Sequence, residues 1–278
     1  MKTVHFVRHG ETEQNKDGIW QGHTNTQLSK TGKVQAKLLS KRINLKNQTV
    51  FTSDLARAKE TAYFLSDSPN VRENLREINV GDFTGKSVKE TYSNNLEIFD
   101  ALQYDTYVFP NGESVQEFKL RVQKEVDYIF DNIDEDSECV VVTHGFFIGT
   151  AIGLVLGFNQ YPYPIGNIQN TSISTVIKRD SVMQVNKFND AIHLSNSYID
   201  YPAKDKSRIL TFIRHGQTDS NTQGVWQGHV DNPLNTYGVE TAKQLKGKFS
   251  NYDLYLSSSF KRALETISLI VDLSLIHI

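Results

Sequence analysis

Along the first two hundred residues, apolar positions follow two alternating rhythms. Short apolar runs near residues 2–7, 49–52 and 139–143 have the length and β-branched content of strands, and Cys139-Val140-Val141-Val142 is apolar throughout, as a strand covered on both faces must be. Between them the spacing changes to that of helices. One is expected over 31–44 with Val34, Leu38 and Leu39 inward, one from Asp54 to Leu65 with Ser53 as its N-cap, and a longer one from Ser114 to Ile133. Thr171 to Phe188 has the alternation of a hairpin turning at Arg179-Asp180. Strands alternating with helices predict an α/β fold, a three-layer sandwich whose mostly parallel central sheet is flanked by helices.

A second pattern overlies the first. Phe6-Val7-Arg8-His9-Gly10-Glu11-Thr12 returns as Phe212-Ile213-Arg214-His215-Gly216-Gln217-Thr218, and at the same offset Gly18-Ile19-Trp20-Gln21-Gly22-His23 returns as Gly224-Val225-Trp226-Gln227-Gly228-His229. One deletion later, Arg57-Ala58 and Glu60-Thr61 match Arg262-Ala263 and Glu265-Thr266. The expectation is a tandem duplication: a complete domain over 1–195, a linker over 196–207, and a second copy over 208–278 that is cut short. That copy is expected to be partly disordered, since a truncated sheet leaves apolar surface uncovered. Its last residues, Leu273 to Ile278, read as a translation of a DNA end sequence attached during library preparation, and are expected to be foreign.

Lysine and arginine number 30 against 32 acidic residues, so no overall positive field exists to hold nucleic acid or an anionic membrane; an anionic ligand must be held locally. No apolar run is long enough to span a bilayer, and the N-terminus reads as a strand rather than a leader, so a cytoplasmic location is expected. The single cysteine, Cys139, excludes a disulfide framework. A cysteine-phosphatase loop would need an arginine six residues on, where Gly145 stands, so Cys139 reads as a core thiol.

Chemistry-bearing residues cluster at strand ends. Arg8-His9-Gly10 follows the first strand directly, which in an α/β sheet puts His9 at the carboxyl edge where ligands bind. Thr143-His144-Gly145 repeats the arrangement after the third strand, with a helix expected from Phe146 onward to bring backbone donors; the alternative is a satisfied core histidine. Arg57 falls in the first turn of its helix, where the dipole opposes a cation. An anion held between helix and guanidinium resolves that misfit, and a surface pair with Glu60 is the plainer alternative. His5 and His9 share a strand, not the helix that a His-x-x-x-His metal pair requires, and no metal or cofactor is expected.

In order, Arg8-His9-Gly10-Glu11-Thr12, Ser53-x-x-x-Arg57-Ala58, Leu75-Arg76-Glu77-Ile78 and Thr143-His144-Gly145 resemble the histidine phosphatase superfamily, in its phosphoglycerate mutase-like branch. The resemblance spans residues 1–195. It implies a nucleophilic His9, a phosphate pocket of Arg8, Arg57 and His144, a proton-handling Glu77, and substrate contacts from Asn15, Gln21 and Gly22. The mutases share a Glu-Arg-His-Tyr-Gly run around the acid. This chain instead has Leu75-Arg76-Glu77-Ile78, then Gly81-Asp82-Phe83-Thr84-Gly85, which resembles the phosphatases. The implied activity is hydrolysis of a small phosphorylated metabolite through phosphohistidine, with a cofactor-dependent phosphoglycerate mutase and a phosphate-binding regulatory module as alternatives. Pro110-Asn111-Gly112-Glu113-Ser114 also resembles a family segment, to which no catalytic role is given. An aromatic stretch from Lys86 to Phe109, with Tyr92, Phe99, Tyr104 and Tyr107, is expected to cap the site, its aromatics either setting selectivity or serving ordinary packing. The second copy keeps Arg214, His215, Asn221 and Arg262 but carries nothing equivalent to Glu77 or His144 before residue 278, and is expected not to turn over.

Overall fold

The structure, a computed structural model, describes residues 1–43, 48–94, 107–158, 167–194, 210–249, 252–271 and 276–277. The chain separates into two compact units, Met1–Leu194 and Ser195–Ile278. The expected linker, 196–207, lies outside the described residues, as do Phe99, Tyr104, the Tyr92 side chain, Leu273–Leu275 and Ile278.

The first unit is built on strands β1 (Lys2–Arg8), β2 (Thr49–Ser53), β3 (Asn70–Arg72), β4 (Glu138–Thr143), β5 (Ile173–Arg179) and β6 (Val182–Asp190), in spatial order β3-β2-β4-β1-β5-β6. The four strands from β3 to β1 run parallel, and β5 and β6 are antiparallel additions at one side. The late hairpin forms as expected, with its turn one residue further on at Asp180-Ser181 and Asp180 at φ +52°.

Alternation along the strands assigns the two faces. Val4 and Phe6 of β1 and Cys139 and Val141 of β4 join Phe118, Val122, Val126 and Ile129 of helix α5 (Val115–Asp131) and Phe147, Ile148 and Ile152 of α6 (Gly145–Val155). The intervening Val7, Val140 and Val142 face Leu39 of α2 (Lys30–Arg42) and Ala58 and Ala62 of α3 (Ala56–Tyr63). The described residues of the unit also include two short α-helices, α1 (Glu13–Lys16) and α4 (Val88–Asn94). Start signals are explicit. Ser114 and Glu117 close a capping box on α5, and Ser29 Oγ accepts the Gly32 N–H to open α2.

Two expected details are corrected. On α2 the inward residues are Gly32, Ala36 and Leu39, while Val34 is exposed and Leu38 half-buried. The reason is that the helix enters with Gly32 against the Gly10–Glu11 backbone: a Cβ on Gly32 would lie 2.1 Å from the Glu11 carbonyl oxygen. That contact sets the helix rotation. On α3 the N-cap is Leu55, with no side-chain cap bond, and Ser53 is instead the last residue of β2.

The second unit contains α7 (Asp219–Thr222), α8 (Thr236–Lys243), α9 (Lys261–Ile270) and a parallel pair of two-residue strands, β7 (Tyr255–Leu256) and β8 (Ile276–His277). Although Phe212-Ile213-Arg214 repeats the end of β1, residues 210–214 form no strand, and Phe212 is 91% exposed where its counterpart Phe6 is fully buried. In the first unit β1 is held between β4 and β5, and among the described residues nothing pairs with 210–214 in that way.

Candidate active site

Register brings the site together. β1 and β4 are parallel neighbours with Arg8 opposite Thr143, so the next residue of each, His9 and His144, emerges at the same edge. Their ring centroids lie 5.1 Å apart. β2 pairs with β4 on its other side and delivers Ser53, whose Oγ is 3.0 Å from His144 Nε2, and the chain then turns into α3 carrying Arg57. The misfit of Ser53 as a cap is thereby explained: its hydroxyl serves the histidine.

His9 is 2% exposed. Its Nδ1 is 2.7 Å from the Gly10 carbonyl oxygen, which can only accept, so Nδ1 carries the proton. Nε2 therefore presents a lone pair, and Arg57 Nε donates to it at 3.2 Å. Burial, reinforced by Arg57 and Arg8, holds the His9 pKa well below the usual histidine range, so the ring is neutral at pH 7. The backbone is pinned on every side. His9 N donates to Thr143 O at 2.9 Å, Asn170 Nδ2 donates to His9 O at 2.9 Å, and Thr171 N donates to Arg8 O at 2.8 Å. Gly10 lies against Gly32, where a Cβ would meet the carbonyl oxygen at 2.7 Å.

Arg57, 1% exposed, donates through its two terminal nitrogens to Thr24 O at 2.7 Å and Gly22 O at 2.8 Å. Burial pulls its pKa down to about 10, with Glu77 opposing and Arg8 adding to the fall. The plainer pairing with Glu60 is not made, since Glu60 Oε2 accepts the Leu28 N–H at 3.1 Å. Arg8 reaches back to the Ile168 carbonyl and lies against Gly145, with its Nε buried and without a protein partner. His144 is fully buried, and burial with Arg57, His9 and Arg8 nearby keeps it neutral. Ser53 Oγ accepts from Leu55 N at 3.3 Å and shares a hydrogen bond with His144 Nε2, while no protein atom meets His144 Nδ1. Two buried nitrogens, Arg8 Nε and His144 Nδ1, thus stand without a protein hydrogen-bond partner. Such groups are costly unless a ligand or water completes them.

Glu77 reaches the same place from the loop after β3. Its Oε1 accepts from Ile78 N at 3.1 Å and its Oε2 from Phe146 N at 3.2 Å, so the first turn of α6 holds the carboxylate rather than lying open to a ligand. Burial raises the Glu77 pKa against the opposing pull of Arg57 and Arg8, which favours the protonated acid. Its carbonyl accepts from His23 Nε2 at 2.8 Å.

Of the other expected contacts, Gly22 serves by holding Arg57 through its carbonyl. Gln21 is 8% exposed, and its Oε1 takes the Thr26 hydroxyl at 2.7 Å, with Thr12 Oγ1 at 3.0 Å. Asn15 Oδ1 completes the Thr12 cap of α1 and lies 3.4 Å from Asn170 Nδ2. Tyr107 packs on Phe109 at 5.1 Å, joining the core rather than standing over the site. Sequence reasoning missed Ser53's role, Asn170, Thr171 and His23. His23 carried a usable signal, because the repeat keeps it as His229. Among the described residues, no three His, Cys, Asp or Glu side chains stand close enough to hold a metal ion, and no helix is long and apolar enough to cross a membrane.

The second unit reproduces half of this geometry. His215 Nδ1 is 2.7 Å from Gly216 O, Gly216 N donates to Thr266 Oγ1 at 2.9 Å as Gly10 N does to Thr61, and Arg262 donates to Val230 O and Gly228 O at 2.7 and 3.1 Å. Thr218 caps α7 with Asn221 in the box position. Arg214 is exposed and His215 only half-buried.

The chain is 28% identical over 213 residues to a probable phosphoglycerate mutase of Enterobacter sp., covering 74% of this chain and 99% of that protein. It is 30% identical over 201 residues to a metal-independent phosphoserine phosphatase of Arabidopsis thaliana, covering 69% and 82%. Among solved structures, a phosphoserine phosphatase mutant of Entamoeba histolytica in complex with phosphoserine superposes with a TM-score of 0.64 at 28% identity, covering 70% of this chain and all of that one. The family model described as histidine phosphatase superfamily (branch 1) matches residues 4–191 and again 210–277, and the chain belongs to that superfamily.

Proposed function

We propose that this chain is a metal-independent phosphomonoester phosphatase that works through phosphohistidine at His9 on a small phosphorylated metabolite. One observation carries the reading: a buried, neutral imidazole has its proton fixed on Nδ1 by the Gly10 carbonyl, so that Nε2 offers a lone pair beside two guanidiniums and a second neutral histidine.

Phosphoryl transfer asks a site to position, to neutralise and to supply one proton. His9 Nε2 attacks phosphorus in line as the bond to the leaving oxygen breaks. Arg8, Arg57 and His144 hold the phosphoryl oxygens in a frame already oriented before reaction. Glu77, whose pKa burial raises, gives its proton to the departing alkoxide. In the second half, the ionised carboxylate takes a proton from water as the water oxygen attacks phosphorus. The P–N bond breaks, and orthophosphate leaves with the lone pair restored to Nε2. Asn15, Gln21 and Gly22 fix the loops around the phosphoryl group. The relatives include a probable mutase, so the alternative is transfer back to a second hydroxyl, which needs a bisphosphorylated primer.

The matching hydrogen bonds in the two units support a duplicated domain. A screen of phosphorylated metabolites with chelator present, no primer added, and His9→Ala as control tests the proposal. Release of orthophosphate that requires His9 supports it. Activity only with a primer would favour the mutase, and phosphate binding without turnover a regulatory module.

A further inference from the structure

The Pro110–Ser114 segment, left without a role above, meets the Glu77 loop along its whole length. Glu113 N donates to Asn79 O at 2.8 Å, the Glu113 carboxylate accepts from Asn79 N at 3.2 Å, and Asp82 N donates to Pro110 O at 2.9 Å. The backbones are so close that a Cβ on Gly81 would lie 2.0 Å from Pro110 O, and one on Gly112 would lie 2.4 Å from Asn79 O. Glu113 also binds Arg121 of α5, and Arg121 spends all five of its N–H donors at this seam. Nε and one terminal nitrogen grip the Glu113 carboxylate at 2.9 and 2.8 Å. The remaining bonds go to the carbonyls of Asn74 at 2.8 Å, Arg76 at 2.9 Å and Glu77 at 3.2 Å. The guanidinium itself rests over the buried Phe118 ring, 4.9 Å from its centroid.

From this geometry we infer that Arg121 and Glu113 are positioning residues that aim the Glu77 carboxyl at the leaving oxygen. The Glu77 carbonyl accepts from both Arg121 and His23 Nε2, so the backbone from which the carboxyl projects is held at two points, while Ile78 N and Phe146 N hold the carboxyl itself. His23 belongs to the same loop whose Gly22 and Thr24 carbonyls hold Arg57, so the proton donor and the phosphate-binding cation share one anchored frame. The planar fork matters because five acceptors are met at fixed angles, which a lysine with three donors cannot do.

This inference rests on the reading of Glu77 as proton donor, and the test separates the two. On the full chain, kcat/KM is measured for p-nitrophenyl phosphate, whose leaving group needs little protonation, and for glycerol 3-phosphate, whose alkoxide needs it. A general acid supplies about 100- to 10,000-fold, and displacement by about 1 Å forfeits on the order of 100-fold. Arg121→Ala and Glu113→Gln are therefore expected to lose about 10- to 100-fold on glycerol 3-phosphate and severalfold at most on p-nitrophenyl phosphate. Arg121→Lys should not rescue, and Glu77→Ala should give the same pattern more strongly. Orthophosphate-induced thermal stabilisation, retained in each variant, reports an intact phosphate pocket; Glu113→Gln keeps the side-chain shape and carries the test if Arg121→Ala does not fold. Equal losses on both substrates, or none, in the clamp variants while Glu77→Ala stays selective would overturn the inference alone. A non-selective Glu77→Ala would overturn the reading of Glu77 and the clamp with it.

Discussion

Replacing Arg57 with methionine separates function from stability, because the two respond in opposite ways. The guanidinium is 1% exposed, and burial has lowered its pKa from the usual arginine range to about 10, which at ~1.4 kcal/mol per unit corresponds to about 3 kcal/mol by which the fold disfavours the buried charge. Methionine fills similar space without that charge. Against this, the carbonyls of Gly22 and Thr24 lose their donors, at about 1–3 kcal/mol each if left unpaired. The opposing contributions nearly cancel, so urea unfolding of the variant should stay within about 3 kcal/mol of the parent. Activity should behave differently: removing a preorganised donor to the phosphoryl oxygens costs about 100- to 1,000-fold in kcat. Orthophosphate, which should raise the parent's melting temperature, should do little for Arg57→Met. A large loss of stability with turnover nearly intact would refute this account and make Arg57 a structural residue.

Other consequences follow from burial and contact. His9 and His144 have folded pKa values well below the unfolded value near 6.5, so as pH falls through 6.5 the unfolded chain takes up protons that the folded chain refuses. Stability should fall with acid over pH 6.5 to 5 by up to ~1.4 kcal/mol per pH unit for each histidine, offset in part by Glu77, whose raised pKa works in the opposite sense. His9→Asn should remove about one proton from that slope in urea titrations; an unchanged slope would count against a neutral His9. For kcat/KM, the alkaline limb should report Glu77 losing its proton and should vanish in Glu77→Gln. Gly10→Ala places a methyl 2.7 Å from Gly32 O, and should cost about 1–3 kcal/mol of stability and most of the activity as α2 is pushed from the His9 turn; a fully active variant would show that the contact does not matter.

Much of this was legible from the chain alone, and the failures have physical causes. The central strands and the two histidines at their ends follow from short apolar runs ending in His-Gly, a local signal. The rotation of α2 was misjudged because it is set by a glycine-to-glycine backbone contact, and apolar periodicity sees only side chains. Ser53 looked like a cap because serine before a helix usually is one. Its actual partner, His144, is 91 residues away, and no local pattern encodes that. Asn170 and Thr171 were missed for the same reason: they bond the backbone of Arg8 and His9 across the β1–β5 seam, and Thr171 does so at φ +58°, a conformation unfavourable to a β-branched residue. In the second unit, residues 210–214 carry a strand's sequence without, among the described residues, the neighbours that make one. Propensity alone did not bring them into a sheet.

The central claim is that phosphorus passes through the His9 ring. Rapid quench of the full chain during turnover of a radiolabelled phosphomonoester, kept free of acid and followed by peptide mapping, tests it most directly. The account predicts an acid-labile, base-stable phosphoryl group on His9 that forms and decays at rates compatible with turnover and is absent from His9→Ala. Turnover with no label on that imidazole, or full activity in the variant without it, would contradict the account.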